Sequence, residues 1–156
     1  MYRYIYRQVS DVETARDLTA ELFRRFLQAI QHGQGPDQAL RAWLYRTAHN
    51  LVIDHYRRQQ HRQHLPLPEE LVNTNDDPVS LTEEQILGEQ VRAALQQLTT
   101  DQRQVIVLKF LEGMSNQETA NVLDKPVSAI KSLQHRALTA LQRYLVRATE
   151  KEGQRQ

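Results

Sequence analysis

The sequence predicts an all-α protein, two small helical bundles joined by a flexible acidic linker. Three observations carry that reading. The 156 residues hold only 5 Gly and few β-branched clusters, while Gln, Leu, Ala and Arg abound, a balance that favours helix. Apolar residues recur at helical spacing in several separate segments. Between those segments His64–Ser80 gathers three prolines with turn-forming Asn and Asp and several acids, the composition of a tether and not of a core element.

The elements follow in order. Tyr2 to about Val9 forms a first short helix. Ser10-Asp11-Val12-Glu13 reads as a capping box that opens a helix to about Gln31. Its inward stripe is Ala15, Leu18, Leu22, Phe26 and Ile30, widened by Phe23 and Leu27. His32-Gly33-Gln34-Gly35-Pro36 breaks the chain. A long helix is then expected from about Asp37 to Gln60, with Leu40, Leu44, Ala48, Leu51 and His55 inward. Beyond the linker, Ser80-Leu81-Thr82-Glu83 caps a helix to about Gln97. Thr99-Thr100-Asp101-Gln102 caps the next, which runs to about Glu112 and ends at Gly113. The expected division is a bundle over residues 1–63, the linker 64–80, a second bundle over 81–148 and a disordered tail over 149–156.

The segment Met114–Tyr144 is the most informative. Ser115 and Glu118 form an S-x-x-E box opening a short helix to Leu123, and Asp124-Lys125-Pro126 breaks it. Pro126 suits the start of a second helix. In that helix Ile130, Leu133, Ala137, Leu141 and Tyr144 form the buried stripe. Ser128, Lys131, Ser132, His135, Arg136, Thr139 and Arg143 turn the other way at 100° per residue. The outward set is cationic, rich in donors and free of carboxylates, which suits phosphates and base edges. The pair reads as a DNA-binding helix-turn-helix.

A net charge of +1 hides a pattern. Residues 1–64 hold 10 Arg/Lys against 6 Asp/Glu, residues 65–98 hold 1 against 7, and residues 99–156 hold 9 against 6. Two basic blocks flank an acidic middle. Cys is absent, which rules out disulfides and thiolate metal sites. No apolar run is long enough to span a bilayer and no signal-peptide block opens the chain, so membrane insertion is not expected and the cytoplasm is the expected compartment.

The long helix carries a second unusual face. Trp43, Arg46, Asn50, Asp54 and Arg57 are spaced 3, 4, 4 and 3, away from the Leu40/Leu44/Leu51 stripe. An aromatic ring among Arg and Asn can stack on an unpaired base while the cations hold the backbone; the same Trp also suits a core. His55, His61 and His64 lack the carboxylate or thiol that would complete a metal set, so no metal or other cofactor is expected. No nucleophile–base arrangement, paired catalytic carboxylates or phosphate-cradling Gly loop occurs, so no enzyme is expected.

Three blocks then come into register with a known family: Ala15–Phe23 (ARDLTAELF); Arg41–Arg46 (RAWLYR) through Asn50 to Asp54–Arg58 (DHYRR); and Leu98–Leu141. In that order, about an acidic linker, they make the chain resemble a bacterial RNA polymerase sigma factor of the small extracytoplasmic-function (ECF) type, in the sigma-70 family. The resemblance covers nearly all of residues 1–146. It implies that the first bundle is region 2 and the second region 4. Asp17, Leu18 and Glu21 become the expected contacts to core RNA polymerase, although Leu18 also lies on the core stripe. Trp43, Arg46, Thr47, Asn50 and Arg57 become the expected contacts to the −10 promoter element. The loop His32–Gln38 corresponds to the one that accepts a flipped base. Ser128, Lys131, Ser132, His135 and Arg136 become the expected contacts to the −35 element. The acidic linker would thread toward the polymerase active centre, or simply keep a tether soluble. An anti-sigma factor is a further partner implied by the family.

Three features depart from the family pattern. Asp124 stands where the turn usually has Gly, Thr119 and Lys125 stand where apolar residues are usual, and the first helix is short. Asp tolerates a left-handed turn better than most residues, so the turn is expected to survive. Two other readings stay open on the residues: a dimeric helix-turn-helix regulator acting without polymerase, and a polymerase-binding protein without promoter activity.

Overall fold

The computed structural model describes residues 1–36, 39–63 and 82–153. Among the described residues there are seven α-helices, one π-helical turn and no strand: α1 Tyr2–Val9, α2 Val12–Gln31, α3 Leu40–Gln63, α4 Glu83–Gln96, α5 Thr100–Ile106, the π-turn Val107–Leu111, α6 Asn116–Leu123 and α7 Val127–Gly153. The expected linker His64–Ser80 and the start of the long helix at Asp37 lie outside the described residues, as do Ser80 and Leu81.

The helix starts follow local chemistry. Ser115 Oγ accepts from the Glu118 amide at 3.1 Å while the Glu118 carboxylate accepts from the Ser115 amide at 2.8 Å. Thr99 and Gln102 form the same box at α5, and Thr82 and Gln85 form it at α4. The box expected at Ser10 does not form. Ser10 instead ends α1 in the left-handed region (φ 55°), its amide donating to the Tyr6 carbonyl, and Asp11 caps α2 by accepting from the Thr14 amide at 2.7 Å. A two-residue turn between antiparallel helices requires that left-handed residue, which removes Ser10 from the capping position.

Other expectations change through packing. Ile130, Leu133 and Ala137 are buried, whereas Phe23, Leu27, Ile30 and Leu40, expected inward, are 46–58% exposed. The helix α7 continues through Gly153, so residues 149–153, expected as an unstructured tail, are helical. The last helical segment before Gly113 is α5 followed by a π-turn, and Gly113 adopts φ +69°. Asp124 sits at φ 52°, ψ 48°, the left-handed conformation the turn needs. Thr119 is fully buried and its hydroxyl donates to the Ser115 carbonyl at 2.8 Å, so a polar residue fills an apolar position without an orphaned group. Lys125 reaches Asp101 at 3.5 Å.

The two bundles also meet. One buried cluster runs from Tyr4, Ile5 and Leu22 through Val52 to Val105, Leu108 and Ile130. Across the seam α1 lies against α5, and α3 lies against α6. Arg103 of α5 is 6% exposed and has no carboxylate partner among the described residues; its guanidinium donates to the carbonyls of Gln8, Leu95 and Leu98 and to the Tyr56 hydroxyl. These oxygens carry the charge that burial would otherwise penalise. Leu95 lies in the last turn of α4, so the same side chain closes that helix end and joins the second bundle to the first.

Candidate nucleic-acid interface

The helix α7 presents Ser128, Lys131, Ser132, His135 and Arg136 on one exposed face, opposite the buried Ile130/Leu133/Ala137 stripe. Lys131, Ser132, His135 and Arg136 line one open depression, and Gln102 of α5 joins His135, Arg136, Thr139 and Arg143 in a second beside it. Arg136 Nε leans back to the Ser132 carbonyl at 3.4 Å. The supporting helix α6 is fixed against α7 by the Asp124 turn. The arrangement offers cations and hydroxyls on a rigid rod that fits a major groove.

The helix α3 carries the second set. Trp43 is half-buried and packs on Phe26 with ring centroids 5.8 Å apart, so it is both anchored and partly open. Thr47 is half-buried, Asn50 and Arg57 are exposed, and Arg57 stands 4.0 Å from Asp54 one turn earlier. Arg46 is engaged elsewhere: its guanidinium donates twice to the Asn121 carbonyl of α6, Nε at 3.2 Å. The physical cause is local to α6. Both Asp124 and Lys125 direct their amides to Ala120, which leaves Asn121 among the unsatisfied carbonyls of the helix end. A cation at a helix C-terminus also opposes the negative end of the dipole.

On α2, Asp17 is exposed and Leu18 half-buried, packed against the core. The Glu21 carboxylate accepts from Arg24 (two bonds at 2.7 Å) and from Arg25 (2.7 Å), which holds its pKa down to about 2. It is therefore a fixed anion, though an exposed ion pair of this kind adds little stability. Phe23 and Leu27 leave an apolar strip exposed on the same helix, a feature the periodicity had assigned to the core. Phe26, Ile30, Gly33, Gly35, Pro36 and Leu40 line a shallow depression at the following loop, whose residues 37–38 are outside the described set.

Two residues that sequence reasoning did not single out organise the seam. Glu112 accepts from Arg7 at 3.1 Å and from the Tyr45 hydroxyl, while its own main-chain carbonyl accepts from Arg41 at 2.7 Å. Burial, then the bond to this carboxylate, pushes the Tyr45 phenol up to about 12. Arg103 is the other. Neither stands in a short motif, and the partners that join the bundles lie far off in the chain: Arg7, Arg41 and Tyr45 for Glu112, Gln8 and Tyr56 for Arg103. Among the described residues no cluster of three or more His, Asp or Glu could hold a metal ion, and no helix is long and apolar enough to cross a membrane.

Comparison with known proteins gives this geometry a context. The profile of Sigma-70 region 2 matches residues 1–62, and that of Sigma-70, region 4 matches residues 88–141. The ECF RNA polymerase sigma factor BldN of Streptomyces coelicolor is 36% identical over 148 residues, covering 93% of this chain; the chain spans 56% of BldN's length. The ECF RNA polymerase sigma factor SigX of Bacillus subtilis is 31% identical over 156 residues, covering 93% of this chain and 77% of SigX. In fold, the chain is similar to the sigma factor RpoE of Bartonella quintana, solved in complex with the anti-sigma factor NepR (TM-score 0.70, 24% identity, 92% of this chain and 88% of that one). It is also similar to CnrH, solved in complex with the cytosolic domain of CnrY (TM-score 0.66, 25% identity, 92% and 79%). With both sigma-70 regions matched in order and ECF sigma factors aligned along nearly its whole length, the chain belongs to the sigma-70 family of RNA polymerase sigma factors, in the ECF type.

Proposed function

We propose that this chain binds core RNA polymerase and directs it to promoters, reading the −35 element with α7 and reading and opening the −10 element with α3. The single observation that carries the reading is the match of both sigma-70 regions, in order, on the two bundles that bear the exposed α7 face and the Trp43 face. Ser128, Lys131, Ser132, His135 and Arg136 are the proposed −35 contacts. Trp43, Arg46, Thr47, Asn50 and Arg57 are the proposed −10 contacts, and Asp17, Leu18 and Glu21 the proposed polymerase contacts.

The chemistry is binding and DNA deformation, with no bond made or broken by the chain. Each module alone is a weak reader. Polymerase fixes their separation and makes the second contact intramolecular. Opening depends on trapping unstacked bases, each aromatic stack contributing roughly 1–3 kcal/mol. The cytoplasm, where polymerase and chromosome meet, is the proposed compartment. An anti-sigma factor is a proposed further partner, in keeping with the complex solved for the structurally similar sigma factor RpoE with the anti-sigma factor NepR.

The test is to add the purified chain to core polymerase and map transcription starts on genomic DNA. Discrete starts sharing two upstream motifs support the proposal. A homodimer that binds duplex without polymerase would support a conventional regulator instead. Polymerase binding without starts would leave a docking protein.

A further inference from the structure

A groove of about 440 Å³ between α1 and α4 is apolar within and basic at its edge. Leu87 and Val91 of α4 and Leu111 at the end of the π-turn line it, and all three are 40–60% exposed. Contiguous exposed apolar surface rimmed by polar groups marks a place where another segment binds. Arg3 and Arg92 stand at the edge, and neither has a carboxylate among the ion pairs of the described residues. Arg92 lies over the Tyr6 ring, 5.2 Å from its centroid. Arg7 is already bonded to Glu112, and Glu84 is the one acid among the described lining residues.

Gly88 leaves a gap in the α4 wall of this groove. A β-carbon there would meet no described atom within 4 Å, so the fold around it does not require glycine. Glycine inside a helix weakens it, and close approach of another backbone is a use that offsets the loss.

One segment of the chain has the complementary chemistry. Residues 64–81, outside the described residues, carry Glu69, Glu70, Asp76 and Asp77 and no Lys or Arg, with Leu71, Val72, Val79 and Leu81 among them. The segment ends beside the groove: Thr82 caps α4, whose Glu84, Leu87, Gly88 and Val91 line it. From Glu84 to Leu95 the helix rises about 16 Å, which about five extended residues cover. Asp76–Leu81 is long enough to run back along it, and residues 64–75 keep up to about 40 Å of reach toward Gln63. Attachment also supplies a local concentration that a separate acidic peptide lacks.

We propose that this groove is the docking site for the chain's own acidic segment in the free protein. Asp76 and Asp77 lie against Arg3 and Arg92, the aliphatic side chains cover Leu87, Val91 and Leu111, and the backbone passes close over Gly88. Such docking shields an apolar face until a partner displaces the segment. The inference goes beyond promoter reading and does not depend on it, since it concerns the chain without polymerase or DNA.

The chain has no Cys, so Asn75→Cys gives a single site for a nitroxide beside Asp76. Its broadening of the Val91 and Leu111 methyl NMR signals is read in the full-length chain. Docking predicts strong broadening at low salt, relieved at high salt because exposed ion pairs are screened. Asp76→Asn with Asp77→Asn, and separately Arg3→Glu with Arg92→Glu, should each lower the docked-to-free ratio by about fivefold. Joining Arg3→Glu and Arg92→Glu to Asp76→Lys and Asp77→Lys should restore the broadening. The Asp substitutions alter no described contact, so they remain decisive if an Arg variant misfolds, which thermal melting identifies.

Broadening that is the same in wild type, in both variant pairs and at high salt would reflect the tether alone and overturn the proposal. Absence of broadening would overturn it too, leaving the groove to a separate partner. Broadening between a nitroxide-bearing copy and a methyl-labelled copy would give the groove to a second chain instead.

Discussion

Arg103 Nη1 donates to the Tyr56 hydroxyl at 2.9 Å, and that hydroxyl donates in turn to the Gln8 carbonyl, so one cation of the second bundle organises two groups of the first. The same guanidinium donates to the carbonyls of Leu95, in the last turn of α4, and Leu98, just beyond it. Removing it takes the Arg103 donor from the Leu98 carbonyl and one of two donors each from the carbonyls of Gln8, which keeps the Tyr56 hydroxyl, and Leu95, which keeps the Leu98 amide; a buried acceptor left unmatched costs roughly 1–3 kcal/mol. Arg103→Ala should lower unfolding stability by about 3 kcal/mol and the melting temperature by about 6–12 °C. Chemical and thermal denaturation check this, and a change within the error of either would mean the contacts are incidental.

Asp124 supplies the left-handed turn of the helix-turn-helix at φ 52°. A β-branched residue there meets its own carbonyl, so Asp124→Val should cost about 1–2 kcal/mol. Asp124→Gly should stay within about 1 kcal/mol of wild type, since glycine adopts this conformation freely but gains entropy when unfolded. Equal melting of the Val and Gly variants would show that the turn is not left-handed in solution.

Lys131 and Arg136 are exposed on α7 with no acidic partner among the ion pairs of the described residues. If they neutralise phosphates, Lys131→Ala and Arg136→Ala should each reduce the salt slope of −35 duplex binding by about 1 in holoenzyme titrations. An unchanged slope with weaker binding at one base position would assign the side chain to a base edge instead.

His49 sits 9% exposed in the second-bundle seam, near Asp101, Lys125 and Gln104, and burial lowers its pKa from the ordinary value. Asp101 opposes that shift and Lys125 reinforces it. The folded state therefore binds a proton less readily than the unfolded chain, so the stability this group contributes is complete above about pH 6.5 and is lost as pH falls toward the folded value. His55 shifts in the same direction through burial. Melting temperature should fall on acidification from about pH 7.5 to pH 5.5, and His49→Gln should flatten much of that fall. A variant with the full wild-type pH dependence would remove His49 from the account.

Much of the fold was legible because it is local. The Ser115/Glu118 and Thr99/Gln102 boxes fix helix starts within four residues, and the Ile130/Leu133/Ala137 stripe needs only helical periodicity. Ser10 was misassigned because the turn between α1 and α2 needs a left-handed residue more than α2 needs a Ser cap. Phe23, Leu27 and Ile30 share the period of the core but face outward, because α1 and α3 cover only part of the long helix α2. The bond from Arg46 to Asn121 spans 75 positions, and the fold of neither bundle alone requires it. That is why the α3 face could be found from its residues while its present occupant could not.

The central claim is that α3 opens DNA while α7 holds the upstream element. Permanganate reactivity of promoter thymines, measured with core polymerase and either wild type or Trp43→Ala, tests it most directly, with polymerase binding and melting temperature measured on the same samples. The account predicts that Trp43→Ala binds polymerase and protects the −35 region as wild type does, yet leaves the −10 thymines unreactive. Normal −10 reactivity in the folded variant, or joint loss of polymerase binding, opening and folding, would contradict it.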